Sequence, residues 1–162
     1  HLEIVNRGFS LLELNREYYA IWNTINDVNQ IKDYNNMKTI IKTDKAPMPI
    51  GPYNQAILVN NTLYASGQIA INPATKKLIS GGIEVETKQV MENLAAVLDA
   101  AGMHFSDVVK CSIFISDMND FAAINEVYGT YFDDENAPAR ETVQVAVLPK
   151  SVNVEISLIA VA

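Results

Sequence analysis

The sequence predicts an α+β protein: two helices on one mixed, largely antiparallel sheet, in the order βββαβαββ, behind an extra N-terminal helix. Three observations point there. Short β-branched stretches alternate apolar and polar residues with period two. Longer windows carry apolar residues at spacings of three and four, and Gly, Pro and Asn punctuate the gaps between them. At 162 residues and 49% apolar composition, the chain is long enough to bury one core.

Taken in order, the first element is a helix. Ser10 and Glu13 form an S-x-x-E capping box with Phe9 and Leu14 in the staple positions. Leu11, Leu14, Tyr18, Ile21, Ile25 and Val28 fall on one helical face, which Trp22 widens. A seam follows at Asn35-Asn36-Met37, dividing a helical extension, residues 1–36, from a main domain, residues 37–162. Met37 reads like a start, so two accounts of the extension stand: a native helix or an added upstream segment.

Beyond the seam KTIIKT, AILVN and TLYASG read as strands, the last two divided by the turn-prone Asn60-Asn61. VETKQVMENLAAVLDAAG reads as a helix with Val90, Leu94, Val97, Leu98 and Ala101 on one face, stopped by Gly102. VVKCSIFIS is a β-branched buried strand in which Cys111 is a small core residue. NDFAAINEVYGTYF is a second amphipathic helix carrying Phe121, Ile124, Val127, Tyr128 and Tyr131. ETVQVAVL and VNVEISLIAV read as a closing hairpin that turns at Pro149-Lys150-Ser151.

Composition narrows the function. A net charge of −7 without a basic block argues against nucleic-acid binding, which relies on phosphate neutralisation. No apolar run approaches the ~20 residues of a membrane helix, and the first residues lack a signal peptide's pattern, so a cytoplasmic protein without membrane partners is expected. One cysteine excludes an internal disulfide, and Cys111 with two histidines, His1 and His104, makes a poor ligand set, so no metal is expected.

Two places draw attention as chemistry. In the closing hairpin, Val143, Val145 and Val147 form an apolar face, with Arg140, Thr142, Gln144 and Ala146 opposite. In the last strand Val152, Val154, Ile156 and Leu158 share one face, and Glu155 shares the other with Ile159 and Val161. Glu155 is then either a partly buried carboxylate suited to proton transfer or a member of a solvated edge or ion pair. A tight hairpin would hold Arg140 near Ala160, roughly 17 Å along the strand from Glu155, so a site using both forms between subunits. The other place is PMPIGPYNQA, a stiff segment presenting Tyr53, followed by Ser66-Gly67-Gln68, where a glycine admits a ligand close to the backbone.

IGPYNQA, YASGQIAINP, VMENLAAVLDAAG, NDFAAINEVYGTYF, APARETVQVAVLPK and VEISLIAVA resemble, in order and spacing, the RidA (YjgF) family of reactive-intermediate imine deaminases, across Met37 to Ala162. The resemblance implies a fold similar to chorismate mutase, assembled as a homotrimer with clefts between subunits. It implies hydrolysis of 2-imino acids and their enamine tautomers, such as 2-iminobutanoate and 2-iminopropanoate, to 2-keto acids and ammonia without a cofactor. By the matching motifs, Arg140 is the carboxylate-binding arginine and Glu155 the water-activating glutamate. Tyr53, Ser66, Gly67 and Asn125 match further family positions. Thr142 departs from the pattern, standing where many close members have cysteine, which bears on pocket shape and substrate preference. A non-catalytic trimer binding small keto or amino acids is the alternative, with a ribonuclease or translation inhibitor behind it.

Overall fold

A computed structural model describes residues 18–24 and 38–162, which fall into two units, His1–Met37 and Lys38–Ala162. In the first unit residues 18–24 are helical, with Tyr18, Ile21 and Trp22 exposed. The capping box at Ser10 and Glu13 lies outside the described residues.

The second unit holds β1 (Thr39–Ile41), β2 (Ala56–Val59), β3 (Thr62–Gln68), α1 (Ile83–Ala100), β4 (Val108–Ile115), α2 (Phe121–Gly129), β5 (Ala139–Gln144) and β6 (Val154–Val161). This is the expected order. The strands form one six-stranded sheet in the order β1-β2-β3-β6-β4-β5, antiparallel throughout except for the β4–β5 pair.

Local chemistry explains the joints. Asn60 and Asn61 both take positive φ, 49° and 60°, between paired Val59 and Thr62, which is the two-residue turn that matches strand twist. Gly102, at φ 70°, ends α1 in a Schellman motif: the Met103 N–H reaches the Leu98 carbonyl at 3.0 Å and the Gly102 N–H reaches that of Asp99 at 3.0 Å.

One side of the sheet carries the core. Val90, Leu94, Val97 and Leu98 of α1 and Ile124 and Tyr128 of α2 pack on Cys111, Ile113, Ile115, Val154, Ile156 and Leu158. The other side of the sheet presents Ile40, Tyr64, Val143 and Val161, each more than two-fifths exposed, and no other element of the second unit covers it.

The expected closing hairpin does not form. β5 pairs with β4 alone, in parallel, with Arg140 opposite Cys111 and Thr142 opposite Ile113. β6 instead inserts between β3 and β4, antiparallel to both. Residues Pro149–Ser151 form a 3-10 turn, but it redirects the chain rather than closing a ladder. The physical reason lies upstream: a strand–helix–strand crossover, β4–α2–β5, returns β5 parallel to β4 at the sheet edge. The face assigned to β5 also reverses. Val143 and Val147 are 43% and 75% exposed, whereas Arg140 and Thr142 lie on the helix-bearing side.

Candidate active site

Glu155 takes its position from a bulge. Ala65 pairs with Leu158 and Gln68 with Ile156, so β3 spends one more residue than β6 between these rungs, at Ser66-Gly67. The extra residue brings Gly67 under the Glu155 side chain. A Cβ at Gly67 would overlap the carboxylate and lie 2.8 Å from Cδ and 2.9 Å from Cγ of Glu155. Only a residue without a side chain leaves this seat open. Burial pushes the Glu155 carboxyl above its ordinary value of 4.5.

Around Glu155 lies a cleft of about 410 Å³ lined by Tyr53, Ser66, Gly67, Met48, Ile50 and Ile71, among others. Its walls are fixed by buried polar side chains. Gln55, 1% exposed, accepts from the Thr43 N–H at 2.8 Å and donates to the carbonyls of Thr43, Ala46 and Pro47 at 2.9, 3.1 and 3.0 Å. That ties down the Pro-rich segment leading to Tyr53, whose hydroxyl accepts from the Ile50 N–H at 3.4 Å. Ser66 spends its hydroxyl on the Asn54 carbonyl at 2.7 Å, so it braces the wall. From α1, Asn93 donates to the carbonyls of Ile69 and Ile71 at 3.1 and 3.0 Å. Glu86 accepts from the Asn153 side-chain amide at 2.8 Å and its N–H at 3.3 Å, anchoring the chain just before Glu155.

Arg140 stands elsewhere. Two strand spacings of ~4.8 Å and three residues of ~3.3 Å along β4 separate it from Glu155, roughly 14 Å between backbones and on opposite sides of the sheet. It borders a second cleft of about 320 Å³ with Asn125, Tyr128, Phe132 and Pro138. Its Nη1 donates to Asn125 Oδ1 at 2.8 Å, and its guanidinium carbon lies 4.9 Å from the Tyr128 ring centre and 5.8 Å from that of Phe121.

The sequence-predicted residues therefore divide into two groups. Tyr53, Ser66, Gly67 and Glu155 share one cleft; Asn125 and Arg140 share the other. Thr142 lines neither, and its Oγ1 is buried without a hydrogen-bond partner among the described residues. Sequence reasoning missed Gln55, Glu86, Asn93 and Asn153, which support the first cleft, and took Tyr128 only as a core residue. A signal existed for the α1 pair: Glu86 and Asn93 sit seven residues apart, on the same helical side as buried Val90 and Leu94.

No described helix is long and apolar enough to cross a membrane, and among the described residues no group of three or more His, Cys, Asp or Glu is placed to hold a metal ion.

The sequence model of the family described as Endoribonuclease L-PSP matches residues 43–162. The chain belongs to this family, which is the RidA (YjgF) family. A RutC family protein of Synechocystis sp. is 54% identical over 123 residues, covering 75% of this chain and 95% of its own. The 2-iminobutanoate/2-iminopropanoate deaminase of Rattus norvegicus is 48% identical over 125 residues, covering 77% and 90%. The crystal structure of a Rid-family protein of Yersinia pestis superposes with a TM-score of 0.76 at 48% identity, covering 78% of this chain and all of that one. Relatives within the RidA family thus carry more than one name, and the fold is common to them.

Proposed function

We propose that this RidA-family chain hydrolyses small 2-imino acids, such as 2-iminobutanoate and 2-iminopropanoate, to 2-keto acids and ammonia, in sites shared between copies of a homotrimer. The observation that carries it is the Glu155 carboxylate: seated on Gly67, facing a cleft with a mostly apolar lining, and pushed up in pKa by burial. The deaminase name of mammalian relatives 46–48% identical supports the chemistry.

Hydrolysis of C=N needs a water, a proton acceptor and an oriented substrate. The imine enters protonated, as C=NH2+, and Glu155 takes a proton from water as the oxygen adds to its carbon, giving a neutral carbinolamine. The carboxylic acid then gives that proton to nitrogen, the C–N bond breaks, and ammonia leaves as the restored carboxylate takes the hydroxyl proton and the carbonyl forms; that last proton departs with ammonia as ammonium. Tyr53, held at the cleft mouth, hydrogen-bonds the water or the imine. Arg140 binds the substrate carboxylate with two parallel N–H donors, a geometry lysine cannot supply. Met48, Ile50 and Ile71 suit the alkyl part.

Arg140 and Glu155 of one chain are too far apart to hold one small substrate, so the arginine of one copy serves the glutamate of its neighbour. The uncovered side of the sheet, with Ile40, Tyr64, Val143 and Val161, supports that assembly, since monomers rarely leave such a face open.

The test couples a threonine dehydratase to the purified protein and traps surviving imine with semicarbazide. The proposal expects faster 2-ketobutanoate formation and less trapped adduct, both abolished in Arg140→Ala. Binding of 2-ketobutanoate without acceleration would instead favour a non-catalytic binder.

A further inference from the structure

The reading above needs a guanidinium held in one plane, yet Arg140 sits on an exposed edge strand, where nothing in β5 restrains a long side chain. The restraint comes from α2. Asn125 and Tyr128 are three residues apart on that helix, so they present side chains to the same place. Asn125 Oδ1 accepts one N–H from Nη1 at 2.8 Å. The Tyr128 ring lies 4.9 Å from the guanidinium carbon, inside the ~6 Å over which a ring face attracts a cation.

Tyr128 itself does not move freely. It is 5% exposed, its ring packs 4.7 Å from that of Phe132, and its hydroxyl is buried without a hydrogen-bond partner among the described residues. A ring wedged in this way is a fixed platform, and Phe121 at 5.8 Å closes a second side. One of the five guanidinium N–H donors goes to Asn125, which leaves the others for a ligand.

We infer that Tyr128 and Asn125 are positioning residues that lock the Arg140 guanidinium as a preformed carboxylate clamp, with the Tyr128 ring acting through its face rather than its hydroxyl. This rests on the proposed role of Arg140. It assigns Asn125 to the arginine rather than to the substrate, and it gives α2 a task beyond covering the sheet: the helix that makes β5 parallel to β4 also aims the residue β5 carries.

The experiment replaces Tyr128 with phenylalanine and then with 4-fluoro-, 3,5-difluoro- and 3,4,5-trifluorophenylalanine, which keep the shape but progressively weaken the ring's negative face. Affinity for 2-ketobutanoate is read by calorimetry, beside KM, kcat and Tm. Tyr128→Phe should bind within about twofold of wild type. Along the fluorinated series affinity should fall and KM rise stepwise, by about tenfold in total, at constant Tm and with kcat changed little. Asn125→Ala, at an exposed position, should raise KM in the same sense. A flat series, or losses that track Tm, would overturn the inference. If Arg140→Ala binds 2-ketobutanoate as tightly as wild type, the role of Arg140 itself fails; if that variant loses binding while the series stays flat, only the positioning role does.

Discussion

Glu155 shows how much one residue's chemistry depends on the absence of a neighbour's side chain. Its carboxylate lies where a Gly67 Cβ would be, so Gly67→Ala must displace it. The displaced group is the far end of a flexible side chain, and the fold should survive with Tm within a few degrees. Activity should fall by about 100-fold, the cost of misplacing a reacting group by ~1 Å, and steady-state kinetics beside a melt separate the two effects. The raised carboxyl makes a second prediction. A base must be ionised, so kcat/KM should climb through an acid limb centred above 4.5, the ordinary carboxylate value. The same shift bears on stability. A folded-state pKa above the unfolded one gives stability that is present below about 4.5 and lost as pH rises through the folded value. Glu155→Gln should therefore melt higher than wild type at pH 7 and level with it at pH 4, while losing activity. Glu141, held low by Lys110 and then Ser112, has the opposite sign, its contribution present above 4.5 and fading in acid.

Among the elements, α1 illustrates what periodicity conveys and what it hides. Val90, Leu94, Val97 and Leu98 were legible as a buried face, and Gly102 as its stop, because spacing and glycine chemistry are local. That the same helix buries Glu86 and Asn93 to bind the walls of the Glu155 cleft was not legible, since their partners lie 22 to 67 residues away in sequence. Asn93→Ala should leave the Ile69 and Ile71 carbonyls without their donor and cost about 1–3 kcal/mol, measured by urea denaturation. The hairpin expected of β5 and β6 failed for a related reason. Two β-rich stretches flanking a proline turn satisfy every local criterion for a hairpin, and only the helix between β4 and β5 tells that β5 is already engaged in parallel with β4. Parity along β6 nonetheless places Glu155 on its half-exposed side, because parity within one strand survives an error in pairing.

At the scale of the molecule, the helices of the second unit leave one side of its sheet uncovered, and the two groups of candidate residues point away from each other. Both features make sense if three chains close on one another, with the Glu155 cleft of one meeting the Arg140 cleft of the next. Light scattering should then give three times the chain mass of 17.9 kDa. The most direct measurement mixes two inactive proteins. Arg140→Ala and Glu155→Gln are each expected to assemble and to be dead alone. Unfolded together and refolded at equal concentration, they should form mixed trimers in which about a quarter of the interfaces pair an intact Arg140 with an intact Glu155, so about a quarter of wild-type imine hydrolysis should return. If the mixed assemblies form, as a tagged subunit pulling down its untagged partner would show, and remain inactive, then Arg140 and Glu155 of neighbouring chains do not share a site.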